Sequence, residues 1–252
     1  TVYPEFLSRV APFLERLNAL NINNANHLYE LEGDLMKENG LVSYQLKTPL
    51  AGIEIRYTTD GMPVLMDSKL YTERILITAN TTIHAGIFKN KQLVSNPFYE
   101  TINYHKAITG KVDLSVLPHK AYNAGGKEAL INGINGSDQR YGDKEWLGFW
   151  GDDLEITIDL GELTTIKTFK SRFYSATGQW IYAPKKVSLY SSIDGKTYSS
   201  LKEIELENDK NIIDVYLDFN EINTQFIKII VPNYGIIPEG KQGADNKAWT
   251  FI

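Results

Sequence analysis

The spacing of apolar residues changes as the chain proceeds. Over residues 1 to about 30, Phe6, Val10, Phe13, Leu14, Leu17 and Leu20 recur at the three-and-four interval that lines one face of a helix. Pro12 interrupts this stripe. It has no amide hydrogen, so the pattern predicts a kink, or a helix that starts near Ala11 with Pro12 in its first turn. From about 40 to 106 the period falls to two. Leu41–Leu46, Ile53–Thr58 and Thr82–Phe88 read as strands, and Thr59-Asp-Gly-Met-Pro63 is a tight turn. From about 107 onward Leu154, Ile156, Ile158 and Leu160 alternate with Glu155, Thr157 and Asp159, the signature of a half-buried strand. Val187–Tyr190, Ile213–Phe219 and Phe226–Val231 continue the β pattern, with a turn at Ile193-Asp-Gly-Lys196. The segment Pro232–Gly243 is a long loop rich in proline and glycine, the kind that is often functional. These patterns predict a mainly β protein: a helical segment at 1–32, a small β-sandwich at 33–106 and a larger one at 107–252.

Composition narrows the function. The net charge of −5 disfavours nucleic acid as a partner. With no cysteine there is neither a disulfide framework nor a thiol nucleophile. No apolar run is long enough to span a membrane. The opening Thr1–Phe6 is unlike a signal peptide, and Phe251-Ile252 reads as a strand cut short. Fifteen tyrosines and four tryptophans supply many rings for strands and for rims that meet flat apolar faces.

The most informative stretch is Ala129-Leu-Ile-Asn-Gly-Ile-Asn-Gly-Ser137, which leads to Trp146-Leu-Gly-Phe-Trp-Gly and the strand ending at Gly161. Its order suits a β-sandwich with a cation loop and a ligand on its rim. Covalent chemistry has weaker signals. Asp152, Asp153 and Glu155 cluster, but adjacent residues of a strand face opposite sides, so a solvated strand entrance is the simpler reading. His27, His84, His105 and His119 are too scattered for a zinc site.

Ile55-Arg-Tyr-Thr-Thr-Asp-Gly-Met-Pro63, with Ser68–Tyr71 and Thr82–Ala85, resembles the small Ig-like sandwich that follows the catalytic barrel in bacterial β-N-acetylhexosaminidases and chitobiases. The last part of the chain resembles a coagulation factor 5/8 type C (discoidin-like) domain, the galactose-binding-like jelly-roll of family-32 carbohydrate-binding modules. Asn132–Ser137, Trp146–Phe149 with Ile158–Gly161, and Trp180–Pro184 with Ser192–Gly195 carry that match. Residues 1–30 are similar to the last barrel helix of family 20 glycoside hydrolases. The resemblance implies a C-terminal fragment of such a hydrolase, periplasmic or extracellular, whose partners are glycan and the parent's catalytic barrel. The family's catalytic Asp-Glu pair lies in that barrel, and no Asp-Glu dipeptide occurs here.

The resemblance also implies a structural calcium ion. Its ligands would be the backbone oxygens of Ala129 and Ile134, the side chain of Asn132 and the hydroxyl of Ser137, with a further acidic ligand just beyond Ile252. Asn132 stands where the family has an acid, which removes a charge from the set. For a sugar, the candidates are Arg140, Tyr141, Trp146, Trp180, Tyr182, Tyr234 and Asn246, all in loops between predicted strands. Trp249 and Phe149 sit beside strand patterns and are expected in the core. The first functional reading is a non-catalytic region that binds N-acetylhexosamine- or galactose-containing glycan. The alternative is a purely structural brace of the barrel. A free-standing glycosidase built on Asp152, Asp153 or Glu155, and adhesion to protein or lipid, are further readings that the sequence supports less.

Overall fold

The computed structural model describes residues 3–22, 27–123 and 125–252. It divides into two units, Thr1–Tyr104 and His105–Ile252. The expectation of helix reaching to about residue 30 falls partly on 23–26, outside the described residues.

In the first unit, α1 spans Tyr3–Ala19 and runs through Pro12. The helix therefore starts well before Ala11, and Pro12 is an interior residue rather than a first-turn one. That placement forfeits a backbone hydrogen bond and costs about 3 kcal/mol. Leu7, Val10, Leu14 and Leu17 form a half-buried stripe, while Phe6 and Phe13 are exposed. The strands that follow are β1 (Glu32–Glu38), β2 (Leu41–Lys47), β3 (Glu54–Thr58), β4 (Lys69–Leu70), β5 (Ile75–Ile77), β6 (Thr81–Lys89), β7 (Gln92–Leu93) and β8 (Phe98–Ile102). They form one sheet in the order β1-β2-β5 and a second built on β4-β3-β6, with β7 and β8 also pairing β6. Alternation decides which residues are inside: Val42, Tyr44 and Leu46 on β2, and Ile55 and Tyr57 on β3. The turn at Asp60–Gly61 forms as its residues dictate. Met62 N–H donates to Asp60 Oδ1 at 3.0 Å, and Gly61 takes the positive φ that the bend needs.

The second unit holds β9 (Lys111–Leu114), β10 (Gly148–Trp150), β11 (Leu154–Tyr174), β12 (Lys186–Ser192), β13 (Ser199–Glu205), β14 (Ile212–Val231) and β15 (Trp249–Phe251). The order is β10-β15-β11-β14-β12-β13, with β9 on β11. The runs Ile213–Phe219 and Phe226–Val231, read above as separate strands, are two halves of β14, paired along its length with β11. The register shifts between Asp159 and Thr164, where the ribbon changes direction. One half of the ribbon then lies with β9, β12 and β13. The other lies with β10 and β15. Both halves bury their alternate side chains in one core, with Leu154, Ile156, Ile158, Ile227 and Ile229 from one layer and Phe173, Ile213, Val215 and Leu217 from the other. The architecture is the β-sandwich that the alternation predicted.

Candidate functional site

The loop between β9 and β10 is built from inward-turned polar groups. A short 3-10 turn spans Lys127–Ile131, after which Asn132 closes a turn by accepting the Ile134 N–H on Oδ1 at 2.8 Å. Asp143 organises the far side. Its carboxylate accepts the N–H groups of Ser137 (2.7 Å), Glu145 (3.0 Å) and Trp146 (3.2 Å). Trp146, expected on a sugar-binding rim, is instead interior and only 2% exposed. Its indole N–H donates to Ser137 O at 3.0 Å, and the Arg172 guanidinium lies 5.8 Å from its ring. Gly136 packs so closely that a Cβ there would stand 2.3 Å from the indole nitrogen. Trp146 therefore ties the loop to β11 and has no face left for a ligand. Tyr141 is half-buried, edge-on to Tyr174 and Phe251, and burial raises the Tyr174 hydroxyl above its usual pKa. Arg140 is exposed.

The other predicted rim residues gather around the Pro232–Gly243 loop, apart from the Trp146 group. Trp180 is half-buried in a left-handed conformation at φ 65°, with Gly243 against its indole. Tyr182 is only 3% exposed and stacks on Tyr234 at 4.4 Å between ring centroids. This removes Tyr182 from the rim as well. Burial, then the neighbouring Tyr234, raises its hydroxyl pKa, and that hydroxyl has no hydrogen-bond partner. Lys185 Nζ lies 4.7 Å from the Tyr234 ring. Asn246 is exposed, but its amide donates to Gly243 O and Ala244 O and so ties the loop to itself. The predicted set does not converge on one concavity.

The exposed platform is one the sequence reading passed over. Phe149 is fully interior, as expected, so its neighbours on β10 face the other way. Trp150 is 48% exposed and pairs directly across the ladder with Trp249. Trp249, expected in the core, is half-buried and lies under Trp150 with ring centroids 5.3 Å apart and planes 17° from parallel. Trp150 Nε1 donates to Lys247 O at 3.3 Å, which fixes the ring. His119 meets Trp249 edge-on at 5.2 Å. Its Nδ1 accepts the Ala121 N–H at 3.2 Å, so the neutral ring carries its hydrogen on Nε2. Flat apolar surface beside N–H donors is the arrangement that holds a pyranose. The signal was available: if Phe149 is inside, period two places Trp150 outside.

Two residues of the acidic cluster have structural partners. Asp153 accepts the Asn233 N–H at 2.8 Å, and Glu155 pairs with Lys228 at 2.6 Å. In the 129–137 loop, Asn132, Ala129 and Ser137 of the expected calcium set have hydrogen-bond partners within the protein. Asn132 Oδ1 is taken by Ile134, and its Nδ2 group donates to Glu145 Oε2 at 2.8 Å. The two partners fix which atom is which. Ala129 O meets the Asn132 N–H, and Ser137 Oγ accepts the Gln139 N–H. Among the described residues, no group of three or more His, Cys, Asp or Glu side chains could hold a metal ion.

Two family models match the chain. Residues 39–99 match the chitobiase/beta-hexosaminidase C-terminal domain, and residues 116–243 match the F5/8 type C domain. No curated relative matches. Among solved structures, a family-32 carbohydrate-binding module of a Clostridium perfringens family-89 glycoside hydrolase, in complex with GalNAc-beta-1,3-galactose, is 16% identical. That match covers 58% of this chain and 96% of the other at a TM-score of 0.38. A chitosan-binding module from a Paenibacillus sp. IK-5 chitosanase/glucanase is 13% identical over 59% of this chain and 97% of the other, at 0.37. The C-terminal domain of a Bacteroides fragilis chitobiase is 16% identical over 57% and 92%, at 0.34.

Proposed function

Because this chain belongs to the F5/8 type C domain family, we propose that its terminal sandwich is a carbohydrate-binding module and that the ligand stacks on the outer face of Trp150. The single observation behind this reading is the exposed Trp150 ring, held parallel to Trp249 and tethered to Lys247 O. Burying about 100 Å² of a sugar's apolar face contributes roughly 2–3 kcal/mol. Millimolar binding needs about 4 kcal/mol. The His119 ring, edge-on to Trp249, and Lys247, whose carbonyl Trp150 bonds, are the neighbouring residues whose donors supply the difference. Such weak binding suffices for a tethered module, because linkage raises the effective concentration of substrate.

In this reading the chain does no chemistry of its own. The match of residues 39–99 to the chitobiase/beta-hexosaminidase C-terminal domain supports a place beside the catalytic barrel of a β-N-acetylhexosaminidase acting outside the cytoplasm. No helix among the described residues is long and apolar enough to cross a membrane. In this reading the Asn132–Glu145 hydrogen bond helps hold the loop at 129–137. Calorimetric titration with N-acetylhexosamine- and galactose-containing disaccharides tests the site. Trp150→Ala is expected to abolish binding while the melting midpoint stays within about 2 °C, as for a surface substitution. Undiminished binding by that variant would overturn the site, and no binding by the unaltered chain would favour a purely structural brace.

A further inference from the structure

The chain has three Asn-Gly dipeptides, at 39–40, 132–133 and 135–136. Such a pair loses its side-chain amide without any enzyme. The glycine backbone nitrogen attacks the asparagine Cγ, closes a five-membered succinimide and expels ammonia. Water then opens the ring at either carbonyl and gives aspartate or isoaspartate. Glycine favours the attack because no Cβ obstructs the approach. Reaction requires that the carboxamide and the next backbone nitrogen are free to meet, and here the three pairs differ.

Asn132 is held twice: Oδ1 accepts the Ile134 N–H at 2.8 Å, and Nδ2 donates to Glu145 at 2.8 Å. The leaving nitrogen is thus tied to a carboxylate, and the backbone at Asn132 closes the 3-10 turn. Asn39 is exposed, but Asn39 and Gly40 hold left-handed conformations at φ 53° and 76° between the paired Glu38 and Leu41. Ring closure needs a different backbone angle at the asparagine, which that turn resists. Asn135 is exposed, lies outside any helix or ladder, and its carboxamide has no hydrogen-bond partner among the described residues. The Gly136 N–H beside it is also unpaired among them.

We infer that Asn135 is a site of spontaneous deamidation and that Asn132, three residues earlier in the same loop, is protected. Isoaspartate carries the chain through its side-chain carboxyl and so adds a methylene to the backbone. The next residue, Gly136, is seated against the Trp146 indole, and its carbonyl accepts the Arg172 Nη1–H at 3.1 Å. Displacing Gly136 loosens the packing that ties this loop to β11, so the melting midpoint falls as isoaspartate accumulates.

The test is to age the full chain in warm, mildly alkaline buffer and follow each asparagine by peptide mass spectrometry. Fragment spectra separate Asn132 from Asn135, and an isoaspartyl methyltransferase labels the isoaspartate. Asn135 is expected to convert faster than Asn39 and at least about tenfold faster than Asn132, the factor that one charge-assisted hydrogen bond supplies. Glu145→Ala is expected to speed conversion of Asn132. Asn135→Gln is expected to abolish most of the drift in melting midpoint on ageing. Conversion of Asn132 or Asn39 as fast as Asn135 would overturn the inference. So would an Asn135 that stays intact while a free peptide of residues 129–139 reacts there. A midpoint that drifts equally in Asn135→Gln would overturn the structural consequence.

Discussion

Trp146 and Trp150 lie close together in sequence and have opposite fates. Trp146 is enclosed: its N–H bonds Ser137 O, Arg172 lies by its ring, and Gly136 leaves no gap. Trp150 has one face on Trp249 and the other toward solvent. The residue type is the same and so is the hydrogen-bonding group. What differs is whether loop backbone and a guanidinium surround the ring or a single neighbour supports it. An aromatic residue in a loop of a sandwich is thus as capable of fastening the loop as of meeting a ligand, and burial separates the two roles.

The largest expected effect breaks that contrast from the inner side. Trp146→Ala should destabilise the second unit by about 3–5 kcal/mol, as for a buried tryptophan, with a clear fall in the denaturation midpoint. Trp150→Ala should leave that midpoint nearly unchanged and remove glycan binding. If both variants lost only binding, the distinction would collapse.

A medium effect is expected from Asn132→Asp, which alters the same loop without touching an aromatic ring. The amide donor to Glu145 is replaced by a second carboxylate, so the loop loses a hydrogen bond and gains repulsion. A destabilisation of about 1–3 kcal/mol should follow, and millimolar calcium should restore part of it by bridging the two acids. The unaltered chain should melt at the same temperature with and without chelator. A chelator-dependent midpoint in the unaltered chain would show that the amide is not what holds the loop.

The smallest effect is expected at Asp194, in a turn outside both aromatic groups. The N–H groups of Thr197 and Lys196, then the Ser192 hydroxyl, hold its carboxyl below the ordinary value of 3.8. A lowered folded-state pKa stabilises the fold above the unfolded value, and this contribution is lost as pH falls from about 3.8 through the lowered one. Asp194→Asn should therefore give a shallower loss of stability in that acid range and leave neutral-pH glycan binding unaffected. An unchanged acid limb would remove Asp194 from the account.

Much of the fold was legible because strands repeat every two residues. Leu154 to Leu160, Ile213 to Leu217 and Ile227 to Val231 alternate as the core requires. The Asp60–Gly61 and Asp194–Gly195 turns were legible because few residues accept their geometry. The course of α1 was left open between a kink at Pro12 and a start near Ala11, since a helix can carry an interior proline at a cost that local pattern does not reveal. The surroundings of the candidate site residues were not legible. Trp146 and Tyr182 sit in loop sequences that look exposed, yet Gly136, from the same loop as Trp146, and Tyr234, distant in the chain from Tyr182, cover them.

The amino-acid order alone therefore determined which residues alternate into a core, where the chain turns, and that many rings would cluster near the loops. Those properties depend on neighbours within a few positions. Tertiary structure alone decided that Trp150, rather than Trp146, offers a face to solvent, and that the Asn132 amide meets Glu145. Each outcome depends on what lies across the fold. Burial and hydrogen-bond pairing are set by segments that meet in space: β15 beneath Trp150, Arg172 beside Trp146, and Glu145 opposite Asn132.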